Sequence, residues 1–363
     1  MRRSSLRFFA ASSGPKVVGV TGANGYLGSF ITAELLGRGY EVRAPVRGSS
    51  ETPAKVAHLV ALDGAERLRV FEGGDLRVSG SFDEAFDGCD AVINTAARVL
   101  LDSSKETVDV SVAGVQNVLR SLPSTVTRFV QTSSIAAIQR YDKPRGYKFS
   151  ERDWNDWSRA DDDAYGFAKT RAELAVVDFC ESNGVSYAAL NPSIVIGPVM
   201  TKQHTKASPI FLRNIIFGNK ILNAPSNFVD VRDVATAHVE ALERLDTIQG
   251  PRRFVLTSDA PCADATELAN VANRVLPQFR FVAKPMYDHA RMTYLYMPLS
   301  RLPFIGRFVM SEFQRLAFST PINFDNSHAK TQLGIAFRPL EDTVREGLQS
   351  IIDAGIAKPA PRS

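Results

Sequence analysis

Three short stretches carry residue types that could do chemistry together. In Tyr165-Gly166-Phe167-Ala168-Lys169 a phenol and an ammonium stand four residues apart. On a helix that spacing puts them on one face. A neighbouring ammonium favours the phenolate, so the pair suits passing a proton to or from a carbonyl oxygen near neutral pH. In Gln131-Thr132-Ser133-Ser134 hydroxyls follow an apolar run, where one could donate to a substrate oxygen. In Gly22-Ala23-Asn24-Gly25-Tyr26-Leu27-Gly28 three glycines are spaced three apart, behind the β-branched run Val17–Thr21 and ahead of the helix-compatible stretch Phe30–Leu36. Strand, tight turn and helix start follow from that order. Glycine permits positive φ and a close approach of the backbone. The helix N-terminus offers free N–H groups and partial positive charge, a fit for the pyrophosphate of a dinucleotide. The spacing differs from the commoner G-x-G-x-x-G fingerprint, and each of the three stretches is by itself a common pattern.

The elements that would position these residues alternate. Short apolar runs predict strands over 16–21, 41–46, 68–72, 91–94, 128–132 and 186–191, with helices over 29–37, 53–62, 81–86, 107–121 and 164–182 between them. Such alternation predicts an α/β fold, a Rossmann-type doubly wound parallel sheet covered on both faces. Ligands of such sheets sit at the carboxyl ends of the strands. Gly22–Gly28, Arg47, Asp75, Asn94–Ala97 and Ser133-Ser134 all follow strand ends and can line one crevice. The expected organisation is a leader over 1–15 and a dinucleotide-binding domain over 16–198, to which 228–262 returns. A smaller, mainly helical substrate-binding region would span 199–227 and 263–358, with a tail over 359–363. A strand or loop is expected over 228–233, a helix over 234–243 and a strand over 253–257. Met286–Phe318 is rich in aromatic residues, Met and Leu with scattered arginines. It reads as helices closing a substrate pocket, and its pattern also suits peripheral contact with a membrane surface.

The 363 residues, 44% hydrophobic and 23% charged, describe an ordinary globular chain of one large or two closely packed domains. The formal charge is +4, and the four basic residues Arg2, Arg3, Arg7 and Lys16 of an acid-free start account for all of it. The remainder balances, which removes support for a nucleic-acid role. Three scattered cysteines, Cys89, Cys180 and Cys262, argue against a disulfide scaffold or a zinc site, and the five histidines form no ligand spacing, so no metal is expected. The arginine- and serine-rich leader has the features of a mitochondrial transit peptide; a short tail on a cytoplasmic protein is the alternative. No run approaches the ~20 apolar residues of a membrane span.

Taken together and in this order, the three stretches resemble the extended branch of the short-chain dehydrogenase/reductase superfamily, over about residues 16–355. Further matches are Asp75-Leu76 after the third strand, Asn94-Thr95-Ala96-Ala97, the turn Asn191-Pro192-Ser193-Ile194-Val195-Ile196-Gly197-Pro198, Phe228-Val229-Asp230-Val231-Arg232-Asp233-Val234-Ala235, and Asn326-Ser327-His328-Ala329-Lys330. Gly39-Tyr40-Glu41-Val42-Arg43-Ala44-Pro45-Val46-Arg47 is most similar to the dihydroflavonol 4-reductase and cinnamoyl-CoA reductase group. The resemblance implies catalytic roles for Ser134 on the substrate carbonyl, Tyr165 as acid–base and Lys169 on the nicotinamide ribose. It implies cofactor contacts at Gly22, Asn24, Gly25, Tyr26, Leu27 and Gly28 for the pyrophosphate. Asp75 and Leu76 would meet the adenine. Thr95, Ala96, Ala97, Thr132, Ser133, Pro192, Ile194 and Val195 would serve the nicotinamide side.

Arg47 bears on cofactor choice. An acid after the second strand takes a ribose 2′-hydroxyl, whereas an arginine suits a 2′-phosphate. Arg47, helped by Lys55, therefore favours NADP(H), with NAD(H) as the alternative. The expected activity is hydride transfer between nicotinamide and a carbonyl or secondary alcohol of an apolar small molecule. Two other readings share the motifs: a nucleotide-sugar epimerase or dehydratase with bound NAD, and a non-catalytic, dinucleotide-bound subunit of a mitochondrial complex. Three departures from the family pattern stand out, one of them Ser111 where many members of the superfamily carry an asparagine. Asn94 replaces a histidine, and Asp161-Asp162-Asp163-Ala164-Tyr165 stands where cinnamoyl-CoA reductases carry Asn-Trp-Tyr-Cys-Tyr, which tells against a lignin-pathway enzyme. Asp161–Asp163 read as a solvated loop, and His238 as a buried residue without a catalytic role.

Overall fold

The computed structural model describes residues 16–97, 105–221, 224–285, 295, 297–300 and 312–362. The leader and most of the aromatic stretch 286–318 lie outside them. A seven-stranded sheet forms the centre: β1 (Val17–Thr21), β2 (Glu41–Val46), β3 (Leu68–Glu72), β4 (Ala91–Asn94), β5 (Arg128–Thr132), β7 (Ser186–Pro192) and β11 (Arg253–Leu256). Between β5 and β7 lies the two-residue β6 (Lys148–Phe149), which pairs elsewhere. The sheet order is β11-β7-β5-β4-β1-β2-β3 and every pairing in it is parallel. This is the expected doubly wound fold.

The central strands need cover on both faces, and the helices supply it. On one face α1 (Tyr26–Gly37) packs with α7 (Val231–Arg244). Their side chains join Val42, Val130 and Phe254 of the sheet in one core. On the other face α4 (Lys105–Arg120) packs against α5 (Ala164–Asn183). There Phe82, Phe86, Val118, Phe129 and Val176 are sealed from solvent. Among the described residues between α1 and α4, the α-helices are single turns, α2 (Ala57–Val60) and α3 (Asp83–Phe86). The expected helix over 53–62 is broken: Pro53–Lys55 form a 3₁₀ turn ahead of α2.

Beyond β7 the chain leaves the sheet. β8 (Ile194–Ile196) pairs in parallel with β10 (Phe228–Asp230), and α6 (Ile210–Phe217) and the short β9 (Lys220–Ile221) lie between them. Asp230 accepts from Arg232 N at 2.8 Å and caps α7. The helix therefore starts at Val231, three residues before the expected point, since a carboxylate cap satisfies a first-turn donor. A second core gathers α6, α8 (Ala265–Val275) and the helix Leu340–Asp353 around Leu212, Leu268, Val344 and Leu348. No described helix is long and apolar enough to cross a membrane.

Candidate active site

The glycine turn joins β1 to α1. Gly22 has φ +64°, and Gly25 N donates to Gly22 O at 2.8 Å. A Cβ on Gly28 would lie 2.1 Å from Gly22 O, so only glycine lets the helix start this close to the turn. No side chain caps α1 and no acid sits in its first turn. The first-turn N–H groups thus have no side-chain acceptor and suit an anion. Asn24 is half-buried and Gly25 exposed at this point. Tyr26 lies in this turn. Its side chain turns into the second core, against Phe30 and His204, so only its main chain can meet a cofactor. Leu27 likewise packs toward the cores.

At the carboxyl ends of β3, β4 and β5 lies a cleft closed on one side by α5. Leu76, Ala96, Ala97, Thr132, Ser133, Tyr165 and Lys169 line it, so residues from four separate stretches of sequence meet in one place. Ser111 and Glu173 line it too. Thr95, Ser134, Pro192, Ile194 and Val195 do not; Ile194 and Val195 sit on β8 and pack against the second core. Thr21 organises the floor. Its hydroxyl donates to Asn94 Oδ1 at 2.5 Å and accepts from Thr95 N and Ala96 N. Asn94 is wholly buried and passes the chain on to Gln131, so its side chain is a strand-to-strand tie beneath the cleft.

Tyr165 and Lys169 stand one helical turn apart near the start of α5, with Lys169 Nζ 5.9 Å from the phenol ring centre. Asp163 caps this helix, accepting from Gly166 N at 3.0 Å and from Ser158 Oγ at 2.6 Å. The solvated loop read over 161–163 thus holds for Asp161 and Asp162 but not for Asp163. Burial raises the Asp163 carboxyl above its ordinary range. A Cβ on Gly166 would lie 2.2 Å from Asp163 Oδ2, which accounts for the glycine beside the tyrosine.

Ser134 is nearly buried, and its Oγ accepts from Ala136 N at 3.1 Å. The hydroxyl proton is left to donate elsewhere. Thr132 Oγ1 lies 2.7 Å from His238 Nε2, while His238 Nδ1 lies 2.7 Å from the Val234 carbonyl. The carbonyl only accepts, so Nδ1 carries the proton and Thr132 donates to Nε2. Burial lowers the His238 imidazole to about 4.

Several residues here were not expected at the site. Glu173 lies one turn beyond Lys169. Its carboxylate accepts from the Ser133 hydroxyl, from Asn191 Nδ2 at 2.8 Å and from Arg253 Nε. Asn191 also donates to the Ser134 carbonyl at 3.1 Å. Arg253 reaches the Glu151 and Ala137 carbonyls at 3.0 and 3.2 Å and stacks 3.6 Å over Trp154. A buried acid in register with Tyr165 and Lys169 is a periodic hint. The arginine 80 positions later had none.

At the ends of β2 and β3, Arg47 is exposed and lies 3.3 Å from Asp75. Asp75 also takes two hydrogen bonds from the Arg77 guanidinium, which hold its carboxyl well below the usual range. Its carboxylate is thus committed to arginines, and Leu76 is the neighbour that faces the cleft. Lys55 Nζ donates to the Arg47 carbonyl at 3.1 Å, so it braces the loop. No group of ligating side chains among the described residues could hold a metal ion.

Residues 18–257 match the NAD dependent epimerase/dehydratase family. The chain is 37% identical over 352 residues to cinnamoyl-CoA reductase CAD2 of Medicago truncatula, covering 92% of this chain and 95% of that one. It is 31% identical over 244 residues to dihydroflavonol 4-reductase of Arabidopsis thaliana, covering 63% of each. The solved structure of Gre2 from Candida albicans in complex with NADPH shares the fold, with a TM-score of 0.74, 24% identity and coverage of 94% and 99%. The chain belongs to the NAD dependent epimerase/dehydratase family, the extended short-chain dehydrogenase/reductases, among the relatives of cinnamoyl-CoA reductase and dihydroflavonol 4-reductase.

Proposed function

We propose that the protein is an NADP(H)-dependent carbonyl reductase in which Tyr165 is the proton donor. The observation that carries this reading is the meeting of Tyr165, Lys169 and the Thr132–Ser133 strand end in one cleft. The residues present fit a dinucleotide. The uncapped start of α1 and the close Gly22–Gly28 approach suit the pyrophosphate, and exposed Arg47 suits a 2′-phosphate. When bound, the reduced nicotinamide supplies the hydride.

The chain's own part is positioning and proton transfer. Ser134, whose oxygen already accepts from Ala136 N, directs its proton to the substrate carbonyl oxygen. Tyr165 delivers a proton to the same oxygen as negative charge develops there. Lys169 holds the ribose hydroxyls and stands beside the phenol. Thr132, turned toward His238, keeps the strand end in register. The substrate is an aldehyde or ketone with an apolar body. The name of the Medicago relative adds hydroxycinnamoyl thioesters to the compounds worth testing. The run Asp161–Tyr165, which differs from the cinnamoyl-CoA reductase signature, argues for a different substrate.

The test is loss of NADPH absorbance with a panel of carbonyl compounds, including cinnamoyl-CoA, aromatic aldehydes and aliphatic ketones. Reduction of at least one class with a marked preference for NADPH over NADH is expected. NAD that co-purifies with the protein together with turnover of UDP-sugars would replace this reading with the epimerase one. For the leader we propose mitochondrial import, tested by fusing residues 1–15 to a fluorescent protein; a diffuse cytoplasmic signal would contradict it.

A further inference from the structure

The loop after β2 carries Arg47, and its shape comes from the neighbouring strand. Parallel pairing puts Val46 beside Glu72, the last residue of β3. The Glu72 carboxylate then accepts four hydrogen bonds from the loop: Gly48 N at 2.5 Å, Ser49 Oγ at 3.0 Å, Ser50 N at 2.9 Å and Ser50 Oγ at 2.8 Å. Lys55 binds the loop from its other side, through the Arg47 carbonyl. Glu72 is exposed, so it adds nothing to a core. Two backbone N–H groups and two hydroxyls converging on one anion form the kind of nest that elsewhere binds phosphate. Here an internal carboxylate fills it, and those bonds hold Glu72 down to about 2, ionised at any working pH. With the loop's donors spent in this way, Arg47 remains the exposed cation at its tip, 67% accessible and 3.3 Å from Asp75.

We propose that Glu72 is a specificity-determining positioning residue: its carboxylate closes the loop after β2 into the shape that aims Arg47 at the 2′-phosphate of the dinucleotide. The inference rests on the reading of Arg47 as the partner of that phosphate. Removal of the carboxylate frees four donors to water and lets the Arg47 backbone wander. The loss falls on ligands with a 2′-phosphate and spares those without one. The charge of Glu72 itself is spread over four donors at the surface, where water and salt screen it from the phosphate.

Calorimetric titration of the full chain with 2′,5′-ADP and 5′-AMP tests this without any substrate. The wild type is expected to bind 2′,5′-ADP about tenfold tighter than 5′-AMP or better. Glu72→Gln keeps one acceptor oxygen and should lose about threefold of that preference; Glu72→Ala should lose about tenfold, with 5′-AMP affinity and thermal midpoint nearly unchanged. A wild type without preference overturns the 2′-phosphate reading of Arg47 and the role of Glu72 with it. A wild-type preference that survives in Glu72→Ala overturns the role of Glu72 alone. So does a preference that rises in the variant, which would mark Glu72 as a competitor for the loop, or an equal loss for both ligands.

Discussion

Glu173 and Arg253 form an ion pair in which both side chains are almost completely shut off from solvent, 0% and 6% accessible. The pair ties α5, the helix that carries Tyr165 and Lys169, to the outer strand β11. Through Ser133 and Asn191 it also grips the strand end that carries Ser134.

Breaking a buried pair leaves one charge without a partner, which costs about 3–5 kcal/mol. Glu173→Met and Arg253→Met are each expected to destabilise by that order in urea denaturation. The double variant Glu173→Met/Arg253→Met should regain part of the loss: no charge is left stranded, but Ser133, Asn191 and the Glu151 and Ala137 carbonyls still lack their partners. Turnover should not recover with it, since Ser133 and Asn191 have lost their acceptor. A double variant as unstable as the single ones, or one with wild-type turnover, would contradict this.

Acid should weaken the fold through its buried histidines. His204 and His238 are both lowered to about 4 by burial. His204 faces Met200 N, the Ser29 hydroxyl and the His58 ring, 5.2 Å away. In the unfolded chain both would titrate near the ordinary value of about 6.5. The unfolded state therefore binds more protons between these values, and stability must fall as pH drops from about 6.5 toward 4. Each histidine contributes on the order of 3 kcal/mol to that loss. Unfolding free energy measured from pH 7.5 to 4.5 should show the decline, and His204→Gln should make it shallower. A flat profile for the wild type would refute the assignment.

Cofactor choice should turn on Arg47. Arg47→Asp removes the cation and supplies an acceptor for a ribose 2′-hydroxyl. The NADPH-to-NADH ratio of kcat/KM should fall by about 10²-fold, on the order of 3 kcal/mol. An unchanged ratio would remove the 2′-phosphate role.

The sheet was legible because parallel strands buried on both faces are short, apolar and separated by helices. Four strands, at 41–46, 68–72, 91–94 and 128–132, have the expected ends. Leu76, Ala96, Ala97, Thr132 and Ser133 come together in the cleft because they follow strand ends, whereas Tyr165 and Lys169 reach it from the helix α5. What stayed hidden depends on side-chain direction or on distant pairing. Tyr26 lies in the turn by sequence, yet its ring leaves for the second core. Asp163 is one of three consecutive acids, and only the helix start beside it makes it a cap. Arg253 reads as an ordinary strand residue until β11 brings it against Glu173.

The central claim is that Tyr165 supplies the proton, and Tyr165→Phe tests it most directly, since it removes one hydroxyl and keeps the ring beside Lys169. With a carbonyl compound that the wild type reduces, kcat should fall by about 10²–10⁴-fold. The NADPH dissociation constant, read from nicotinamide fluorescence, should stay within about threefold, because the glycine turn and Arg47 are untouched. Wild-type turnover in Tyr165→Phe would contradict the account.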